Sequence, residues 1–289
     1  MKLCLRCAAK FEHDAWRCEA CGFEPPLKDG FAAFAPELAA ANQGYDAAYY
    51  GELYALEAGN YWFRARNALL VWATRKYFHA ARSFLEIGCG TGFVLAGIAR
   101  AMPQLAMHAS EVSSSGLPYA AHRAPRAALF QMDARAIPFA DHFDVVGLFD
   151  VIEHIEEDTV VLAQVFRAMR AGGGLIVTVP QHRFLWSAYD EHAHHVRRYS
   201  AGELRDKVMG AGFRPVMMTS FVSLLLPLMM LSRRLQRKAA AGYDVLADLR
   251  VGRVTNWLLE SVLAFERGLI RLGVRFPAGG SLLMVARKI

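Results

Sequence analysis

Short apolar runs alternate with amphipathic stretches through the middle of the chain. Residues 83–87 are apolar around one acid and lead through a glycine-rich loop into a helical pattern at 93–100. Further apolar runs at 143–149 and 175–179 flank an amphipathic stretch at 156–169. Strands that alternate with helices are typical of a parallel sheet covered by helices on both faces. The pattern therefore predicts an α/β, doubly wound fold.

The cysteines are concentrated at the beginning of the chain. Four of the five form two Cys-x-x-Cys pairs, which are Cys4 with Cys7 and Cys18 with Cys21. Two such pairs can direct four thiolates at one tetrahedral Zn²⁺. No apolar stretch typical of a signal peptide precedes Cys4, so we expect a reducing, cytoplasmic location in which metal binding is favoured over disulfides. The spacing predicts a closed, structural zinc ribbon; redox-active dithiols are the alternative.

The composition excludes some classes of protein and locates the charge. The 289 residues are 54% hydrophobic and 21% charged, which is typical of a globular protein with one large core and an appendage. The formal net charge is +6. Residues 232–275 hold nine Lys or Arg against four Asp or Glu, a net of +5, which leaves +1 for the rest. This distribution argues against a chain-wide nucleic-acid-binding surface.

The loop after the first strand of this fold indicates the chemistry of the ligand. Gly88, Gly90 and Gly92 follow a G-x-G-x-G spacing, and the acidic residue Glu86 precedes them. Dinucleotide-binding loops have the spacing G-x-G-x-x-G, and a carboxylate beside the loop would repel a pyrophosphate. A cationic ligand suits the site better, and S-adenosylmethionine carries both an ammonium and a sulfonium.

With this loop, residues 83–181 resemble the class I S-adenosylmethionine-dependent methyltransferases, in particular the bacterial cell-envelope and small-molecule type. The resemblance implies that an acid after the second strand binds the ribose hydroxyls and that an aspartate and the next backbone N–H read the adenine. The residues that it assigns to the cofactor are Glu86, Gly88, Gly90, Gly92, Glu111, Asp133, Ala134 and Asp150.

The resemblance also implies a Rossmann-like sheet of seven strands with the last strand antiparallel. Residues 213–220 and 281–287 are the candidates for the sixth and seventh strands, and the roughly 60 residues between them far exceed an ordinary hairpin loop. The predicted units are a zinc ribbon at 1–26, an N-terminal helical lid or linker at 27–82, a catalytic core at 83–220 and 276–289, and a basic amphipathic helical insertion at 221–275.

Methyl transfer to a hydroxyl needs good alignment and a modest base. Asp150 and His154 follow the fourth strand, near the expected position of the methyl group, although a Glu-His pair at this point also occurs as a structural feature of related sequences. His194 or His195, in the loop after the fifth strand, could accept the hydroxyl proton. A catalytic metal bound by His192, His194 and His195 is a further alternative.

Aromatic and basic residues beside these candidates suggest an acceptor site. The residues predicted to bind the acceptor are Trp62, Arg66, Arg197, Arg198 and Tyr199. Arginines form paired hydrogen bonds with phosphate or carboxylate groups, which favours an anionic acceptor. The alternative for the last three residues is that they only fix the loop to Asp190 or Glu191.

The insertion combines an apolar run with a basic amphipathic helical pattern. The apolar run that begins at Val216 has 16 residues, fewer than the about 20 needed to span a bilayer. An amphipathic pattern at 251–272 carries arginines on its other faces, which suits contact with anionic lipid. A helical lid or a homodimer face is the alternative.

Together these features favour a methyltransferase that O-methylates a small or lipid- or glycan-linked hydroxylated acceptor. We expect it in the cytoplasm, with peripheral contact at the inner face of the membrane. One alternative is a zinc-ribbon rRNA or tRNA methyltransferase, although the near balance of charge in the ribbon argues against nucleic acid as a partner. A non-catalytic scaffold is the second alternative.

Overall fold

The computed structural model describes residues 1–13, 15–40, 47–235 and 250–289. The strands are β1 (Lys2–Leu3), β2 (Lys10–Phe11), β3 (Leu27–Lys28), β4 (Phe31–Ala33), β5 (Ser83–Ile87), β6 (Ala106–Glu111), β7 (Ala128–Gln131), β8 (Phe143–Phe149), β9 (Met169–Pro180), β10 (Phe213–Phe221) and β11 (Ser281–Lys288). The helices are α1 (Pro36–Ala40), α2 (Ala47–Glu57), α3 (Tyr61–Tyr77), α4 (Phe93–Ala101), α5 (Leu117–Arg123), α6 (Asp158–Ala168), α7 (Ala188–His192), α8 (Ala201–Gly210), α9 (Leu226–Leu235) and α10 (Arg253–Arg271).

Within the described ranges, one sheet contains nine strands in the order β10-β11-β9-β8-β5-β6-β7-β4-β3, and β1 pairs with β2 separately. The six strands from β9 to β4 in this order are parallel to one another, and β3 is antiparallel to β4. β11 is antiparallel to both β9 and β10. The order of the strands reverses between β5 and β8, and open α/β sheets bind ligands at such a switch point, beyond the carboxyl ends of the strands.

The predicted seven strands, with the last one antiparallel, are confirmed, and β3 and β4 extend the sheet beyond them. The prediction of a helical lid or linker was wrong for residues 27–33. β4 pairs in parallel with β7, and the Gln131 side chain bonds both the N–H and the carbonyl of Ala35, at 3.0 and 2.7 Å. Strands of two and three residues are too short to give a period-2 signal, so these contacts decide the conformation.

Side chains of the central strands alternate between two hydrophobic cores, one on each face of the sheet. On β5, Phe84 belongs to the core that includes Leu70 of α3, whereas Leu85 belongs to the core that includes Val161 of α6. Successive residues of a strand point to opposite faces, so a parallel sheet covered on both sides needs apolar residues at nearly every position. This requirement explains the continuous apolar runs of the sequence.

The helical pattern before the core forms α2 and α3, and residues 41–46 lie outside the described residues. Asn60 caps α3, because its side-chain oxygen accepts a hydrogen bond from Trp62 N at 2.9 Å. Apolar residues of α3 such as Leu69 are buried, and its first two turns carry Trp62 and Arg66 towards the carboxyl edge of the sheet. α3 therefore supplies one wall of the crevice at the switch point.

The N-terminal ribbon is packed onto the sheet domain. The N–H of Leu3 donates to the Pro138 carbonyl at 3.0 Å. The ring of Trp16 makes edge contacts with Phe34 and Phe139, at centroid distances of 4.6 and 5.4 Å, and with Phe130 of β7 at 6.1 Å. The ribbon and the strand that precedes the predicted adenine site thus share one aromatic cluster.

Two helices of the predicted insertion, α9 and α10, are described, whereas residues 236–249 lie outside the described residues. α10 packs on α3 through a face that includes the buried Leu263 and Ile270. The buried Glu266 accepts backbone hydrogen bonds from Ser223 and Leu224, at 2.7 and 2.8 Å, which ties α10 to the start of α9. In the part of the chain that the structure covers, no helix is long and apolar enough to cross a membrane.

The packing of Trp16 predicts that the ribbon stabilises the whole protein. Trp16→Ala removes the aromatic contacts with Phe34 and Phe139, so we expect a loss of about 2 kcal/mol and a melting temperature lower by about 5 °C. Differential scanning calorimetry measures the change. Leu27→Ala is the matched control, because Leu27 is an exposed apolar residue of the same region and should give no shift. Equal melting temperatures for Trp16→Ala and wild type would contradict this role.

Candidate active site

The glycine loop joins β5 to α4 at the switch point of the sheet. Gly88 and Gly90 have positive φ values of +71° and +52°, a region that other residues rarely adopt. A Cβ on Gly88 would lie 2.6 Å from a methyl carbon of Val151. A Cβ on Gly90 would meet no atom within 4 Å, because this part of the loop faces open space. The loop therefore presents bare backbone to a ligand.

A cavity of about 480 Å³ lies in this crevice, within the size range of ligand pockets. Most of the predicted site residues line it: Trp62, Arg66, Glu86, Gly88, Gly90, Glu111, Asp133, Ala134, Asp150, His154 and His194. Gly92 does not line it and instead forms the N-terminus of α4. His195 lies behind His154, with their ring centroids 4.7 Å apart.

Glu86 is a buried carboxylate at the inner wall of the cavity. It is only 2% exposed, and its Oε2 has no hydrogen-bond partner among the described residues. Burial raises the pKa of Glu86 to about 8, although the nearby Arg66 opposes the shift. A positively charged ligand would remove the cost of this buried charge. The residue therefore fits the ammonium-bearing end of S-adenosylmethionine.

Glu111 is held at the end of β6 by the backbone of the loop. Its Oε2 accepts a hydrogen bond from Gly90 N at 2.8 Å, and its Oε1 accepts one from Val112 N at 2.9 Å. Burial nevertheless raises the pKa of this carboxyl group. Each oxygen keeps a further lone pair, so the fixed carboxylate can accept from two neighbouring hydroxyls. This geometry fits the predicted ribose contact.

Asp133 and Ala134 follow β7 on the far side of the cavity. Arg135 donates to Asp133 from its backbone N at 2.9 Å and from Nε at 3.0 and 3.1 Å. The same guanidinium reaches Glu157 at 3.1 Å. These contacts fix the turn that carries the predicted adenine-reading residues.

Asp150 ends β8 on the opposite side of the cavity from β6. It has a positive φ of +58° and forms an ion pair with Arg66 of α3. The Arg66 guanidinium also lies 5.2 Å from the ring of Trp62, within the range of a cation–π contact. Non-glycine residues in this backbone region are concentrated at functional sites. The pair joins the α3 wall to the edge of the sheet.

The histidine-rich loop between β9 and α8 closes one side of the cavity. His194 lines the cavity with a positive φ of +54°. The Nδ1 of His195 lies 2.8 Å from Oδ1 of the buried Asp190. Burial lowers the pKa of His154 to about 4, so this imidazole is neutral at physiological pH. The loop thus brings His194 and His195 to the end of β8, beside His154 of the turn that follows this strand.

Arg197, Arg198 and Tyr199 belong to the predicted acceptor site, but they do not line the cavity. Arg198 donates to both oxygens of Asp190 at 2.7 and 3.0 Å. Arg197 pairs with Glu156 and Asp158 at 2.8 and 2.5 Å. The hydroxyl of Tyr199, which is completely buried, donates to Asp158 at 2.6 Å. Arg198 thus ties the loop to Asp190, as the alternative to acceptor binding has it, whereas Arg197 and Tyr199 tie the loop to Glu156 and Asp158 instead.

Two groups of residues near the cavity were missed by the sequence analysis. Glu57 of α2 accepts a hydrogen bond from Thr91 Oγ1 at 2.5 Å and pairs with Arg123 of α5, which ties both helices to the glycine loop. These residues are 34 and 66 positions apart, so no local pattern connects them. Glu153, beside His154, is completely buried and had been given no role.

The four cysteines of the ribbon converge on one point. All four Sγ atoms lie within 4.8 Å of one another, with Cys4 and Cys21 at 3.6 Å and Cys7 and Cys18 at 3.7 Å. Zinc–sulfur bonds of about 2.3 Å in a tetrahedron place sulfur atoms about 3.8 Å apart. The donor set therefore fits Zn²⁺, and four thiolates leave no position for a substrate.

Comparison with known proteins supports the same assignment. Residues 84–173 match the family described as a methyltransferase domain. The chain is 30% identical over 160 residues to a probable S-adenosylmethionine-dependent methyltransferase of Mycolicibacterium smegmatis, covering 53% of this chain and 60% of that protein. A probable methyltransferase of Mycobacterium tuberculosis is 30% identical over 166 residues, which cover 56% of this chain and 59% of that protein. The chain thus spans about three-fifths of the length of these relatives.

Solved structures share the fold at lower identity. Phosphoethanolamine N-methyltransferase 2 of Haemonchus contortus superposes with a TM-score of 0.51 at 18% identity, covering 76% of this chain and 52% of that chain. The cyclase SpnF has a TM-score of 0.50 at 19% identity, covering 76% and 80%. These likenesses concern the fold alone. With the family match, they confirm the predicted class I methyltransferase fold.

The environment of Glu86 predicts that cofactor binding releases a proton. At pH 7 this carboxyl is mostly protonated, because its pKa is about 8. A bound cation lowers that pKa, so the affinity for S-adenosylmethionine should rise with pH up to about 8. Calorimetry at pH 7 in two buffers of different ionisation enthalpy should detect the release of up to about one proton. Glu86→Gln is the matched variant, because it has no carboxyl group to lose a proton. If it released as many protons as wild type on binding, Glu86 would not be the source of the proton.

Proposed function

We propose that this protein, whose chain carries a class I S-adenosylmethionine-dependent methyltransferase domain, O-methylates a small or lipid- or glycan-linked hydroxylated acceptor. The observation that carries the proposal is the buried, unpartnered carboxylate of Glu86 beside a bare glycine loop in a cavity of about 480 Å³. This combination suits a flat, cationic cofactor better than a dinucleotide.

The cofactor would extend along the carboxyl edge of the sheet. Its ammonium would lie towards Glu86, its ribose would bind Glu111, and its adenine would reach Asp133 and the N–H of Ala134. The methyl group would then point to the end of β8, where Asp150 and His154 line the cavity. When bound, S-adenosylmethionine supplies a methyl group on an activated sulfonium. The chain has to align the acceptor and to remove its proton.

In this reaction an oxygen lone pair of the acceptor forms the new bond to the methyl carbon. The carbon–sulfur bond breaks with its electron pair on sulfur, and the acceptor proton passes to a base. We assign that base to His194, which lines the cavity and is exposed. His154 is less suitable, because an imidazole with a pKa of about 4 is a weak proton acceptor.

The walls on the acceptor side are largely aromatic. Trp62, Phe63 and Phe149 line the cavity, as do two arginines, Arg66 and Arg135, of which Arg135 is paired with Asp133 and Glu157. Arg66 is already paired with Asp150, and Arg197 and Arg198 do not line the cavity. These positions favour an acceptor with an apolar or ring-shaped body over a strongly anionic one.

The face of α10 opposite to α3 supports contact with an anionic membrane surface. Its exposed apolar residues form one helical stripe of Val254, Trp257, Leu258, Phe265 and Leu272. The exposed Arg253, Arg271 and Arg275 lie at its two ends. An apolar stripe with flanking arginines suits the boundary between headgroups and acyl chains. A lipid-linked acceptor would then reach the cavity past α3.

The base assignment predicts the effect of His194→Ala. We expect kcat to fall by about 10²- to 10⁴-fold with little change in the affinity for S-adenosylmethionine, since the imidazole acts on the acceptor. The measurement is the release of S-adenosylhomocysteine with a panel of hydroxylated acceptors and their O-methylated counterparts. His192→Ala, at an exposed residue of the same loop, is the control.

An unchanged kcat for His194→Ala would contradict the base assignment. Release of S-adenosylhomocysteine only with RNA, with a steep loss of affinity in salt, would favour the RNA methyltransferase instead. If the zinc-loaded protein does not bind S-adenosylmethionine at all, the scaffold alternative is correct.

The membrane assignment predicts that the apolar stripe of α10 is required for vesicle binding. Wild-type protein should sediment with phosphatidylglycerol vesicles, and the double variant Trp257→Ala, Phe265→Ala should remain in the supernatant. Val160→Ala removes an exposed apolar side chain from α6 and should sediment like wild type. If the double variant instead abolishes a dimer in analytical ultracentrifugation and leaves sedimentation unchanged, the stripe is a dimer face.

A further inference from the structure

A second group of potential metal ligands lies behind the cavity, far along the chain from the cysteines. Ligand atoms of Glu153, His154 and His195 all lie within 4.8 Å of one another. The first two residues belong to the short turn after β8, and His195 comes from the loop after β9. The N–H of Val196 donates to the Glu153 carbonyl at 2.8 Å and fixes the loop against the turn.

Glu153 lacks the partners that a buried carboxylate needs. It is completely buried, and neither carboxylate oxygen has a hydrogen-bond partner among the described residues. An ionised carboxylate without donors is strongly destabilising in a protein interior. A proton or a bound cation must therefore compensate it.

The two histidines are oriented as metal ligands usually are. His195 places its Nδ1 2.8 Å from Asp190, whose two oxygens are held by Arg198. The ring of His154 packs edge-on against the ring of His195, with the two centroids 4.7 Å apart. Ligating histidines almost always bond a carboxylate or a backbone carbonyl through the nitrogen that does not face the metal. His195 thus keeps its Nε2 for a ligand.

The charges around this group also favour a cation. Three buried or half-buried carboxylates, Asp150, Glu153 and Asp190, face two guanidinium groups, Arg66 and Arg198. With Glu153 ionised, the group carries one negative charge in excess. A divalent ion would change the net charge of the group from −1 to +1, so no further cationic side chain would be needed to compensate Glu153.

We propose that Glu153, His154 and His195 bind a divalent transition-metal ion, with Zn²⁺ as the best match to two imidazoles and one carboxylate. Catalytic zinc sites have three such ligands and an open fourth position. Bonds of about 2.1 Å would bring the ligand atoms to about 3.4 Å from one another, so the distances between them, now within 4.8 Å, would shorten by up to about 1.4 Å. Of the three ligands only His154 lines the cavity, so the ion would adjoin the cavity through this residue.

The role of the ion rests on the proposed function. Bound beside the methyl group, it would coordinate the acceptor oxygen and lower the pKa of that hydroxyl, while His194 accepts the proton. Such a site favours acceptors with two neighbouring oxygen atoms, for example a catechol or a vicinal diol, because both oxygens can reach one ion.

The test is the metal content of the full-length protein after saturation with Zn²⁺ and removal of free ions. Wild type should retain two equivalents, one in the ribbon and one at the new site. Glu153→Gln and His195→Ala should each retain one, whereas His192→Ala should retain two. Glu153→Gln replaces a buried charge by a neutral amide of the same shape, and circular dichroism checks its folding.

Substitution with Co²⁺ gives an independent readout, because thiolate ligands produce intense near-ultraviolet charge-transfer bands that imidazole and carboxylate ligands lack. In Glu153→Gln the thiolate bands should remain while the visible bands of the second ion disappear. One retained equivalent in wild type, or two in His195→Ala, would overturn the proposal. Metal content is measured without acceptor, so two equivalents in a protein without methyl transfer would refute the proposed function alone.

Discussion

The burial of carboxylates at the switch point of the sheet is the constraint on which the site depends. Glu86 lies at the penultimate position of β5, where both faces of the sheet are covered, so its side chain is only 2% exposed although it lines the cavity. Glu111 is also buried, but its two oxygens accept hydrogen bonds from Gly90 N of the glycine loop and from Val112 N just after β6. The protein thus keeps one paired and one unpaired acid in the same cavity. Under the proposed function, the first would bind the ribose hydroxyls and the second the positive charge of the cofactor.

A network of buried ion pairs holds the other side of the cavity. Asp190 binds both Arg198 and His195, and Asp158 binds Tyr199, Arg197 and Lys207. Because these partners lie outside the cavity, the loop is anchored without using the groups that face a ligand. Removing one member of such a network leaves a buried charge without a partner, which is strongly destabilising. The loop can therefore carry a residue with a left-handed backbone, His194, at the cavity edge.

The sequence predicted what depends on local patterns. Apolar runs and the glycine spacing located the strands, the cofactor loop and its acids, because parallel strands end at one edge of the sheet. It did not predict β3 and β4, which are stabilised by Gln131 from a distant strand. Nor could the sequence show that Arg66 lines the cavity whereas Arg198 holds the loop. That difference depends on which carboxylate each guanidinium meets after folding, and so does the burial of Glu153.

The ribbon and α10 lie against the same sheet domain at places that affect the cavity. The ribbon packs on β7, next to the turn that carries Asp133, and α10 packs on α3, which carries Trp62.

The central claim is that this cavity binds S-adenosylmethionine through Glu86 and Glu111. A crystal structure of the zinc-loaded protein with S-adenosylhomocysteine tests it most directly. The account predicts the ligand's ammonium at about 3 Å from Glu86, its ribose hydroxyls on Glu111 and its sulfur facing Asp150. A ligand bound elsewhere, or in this cavity with its ammonium away from Glu86, would contradict the account.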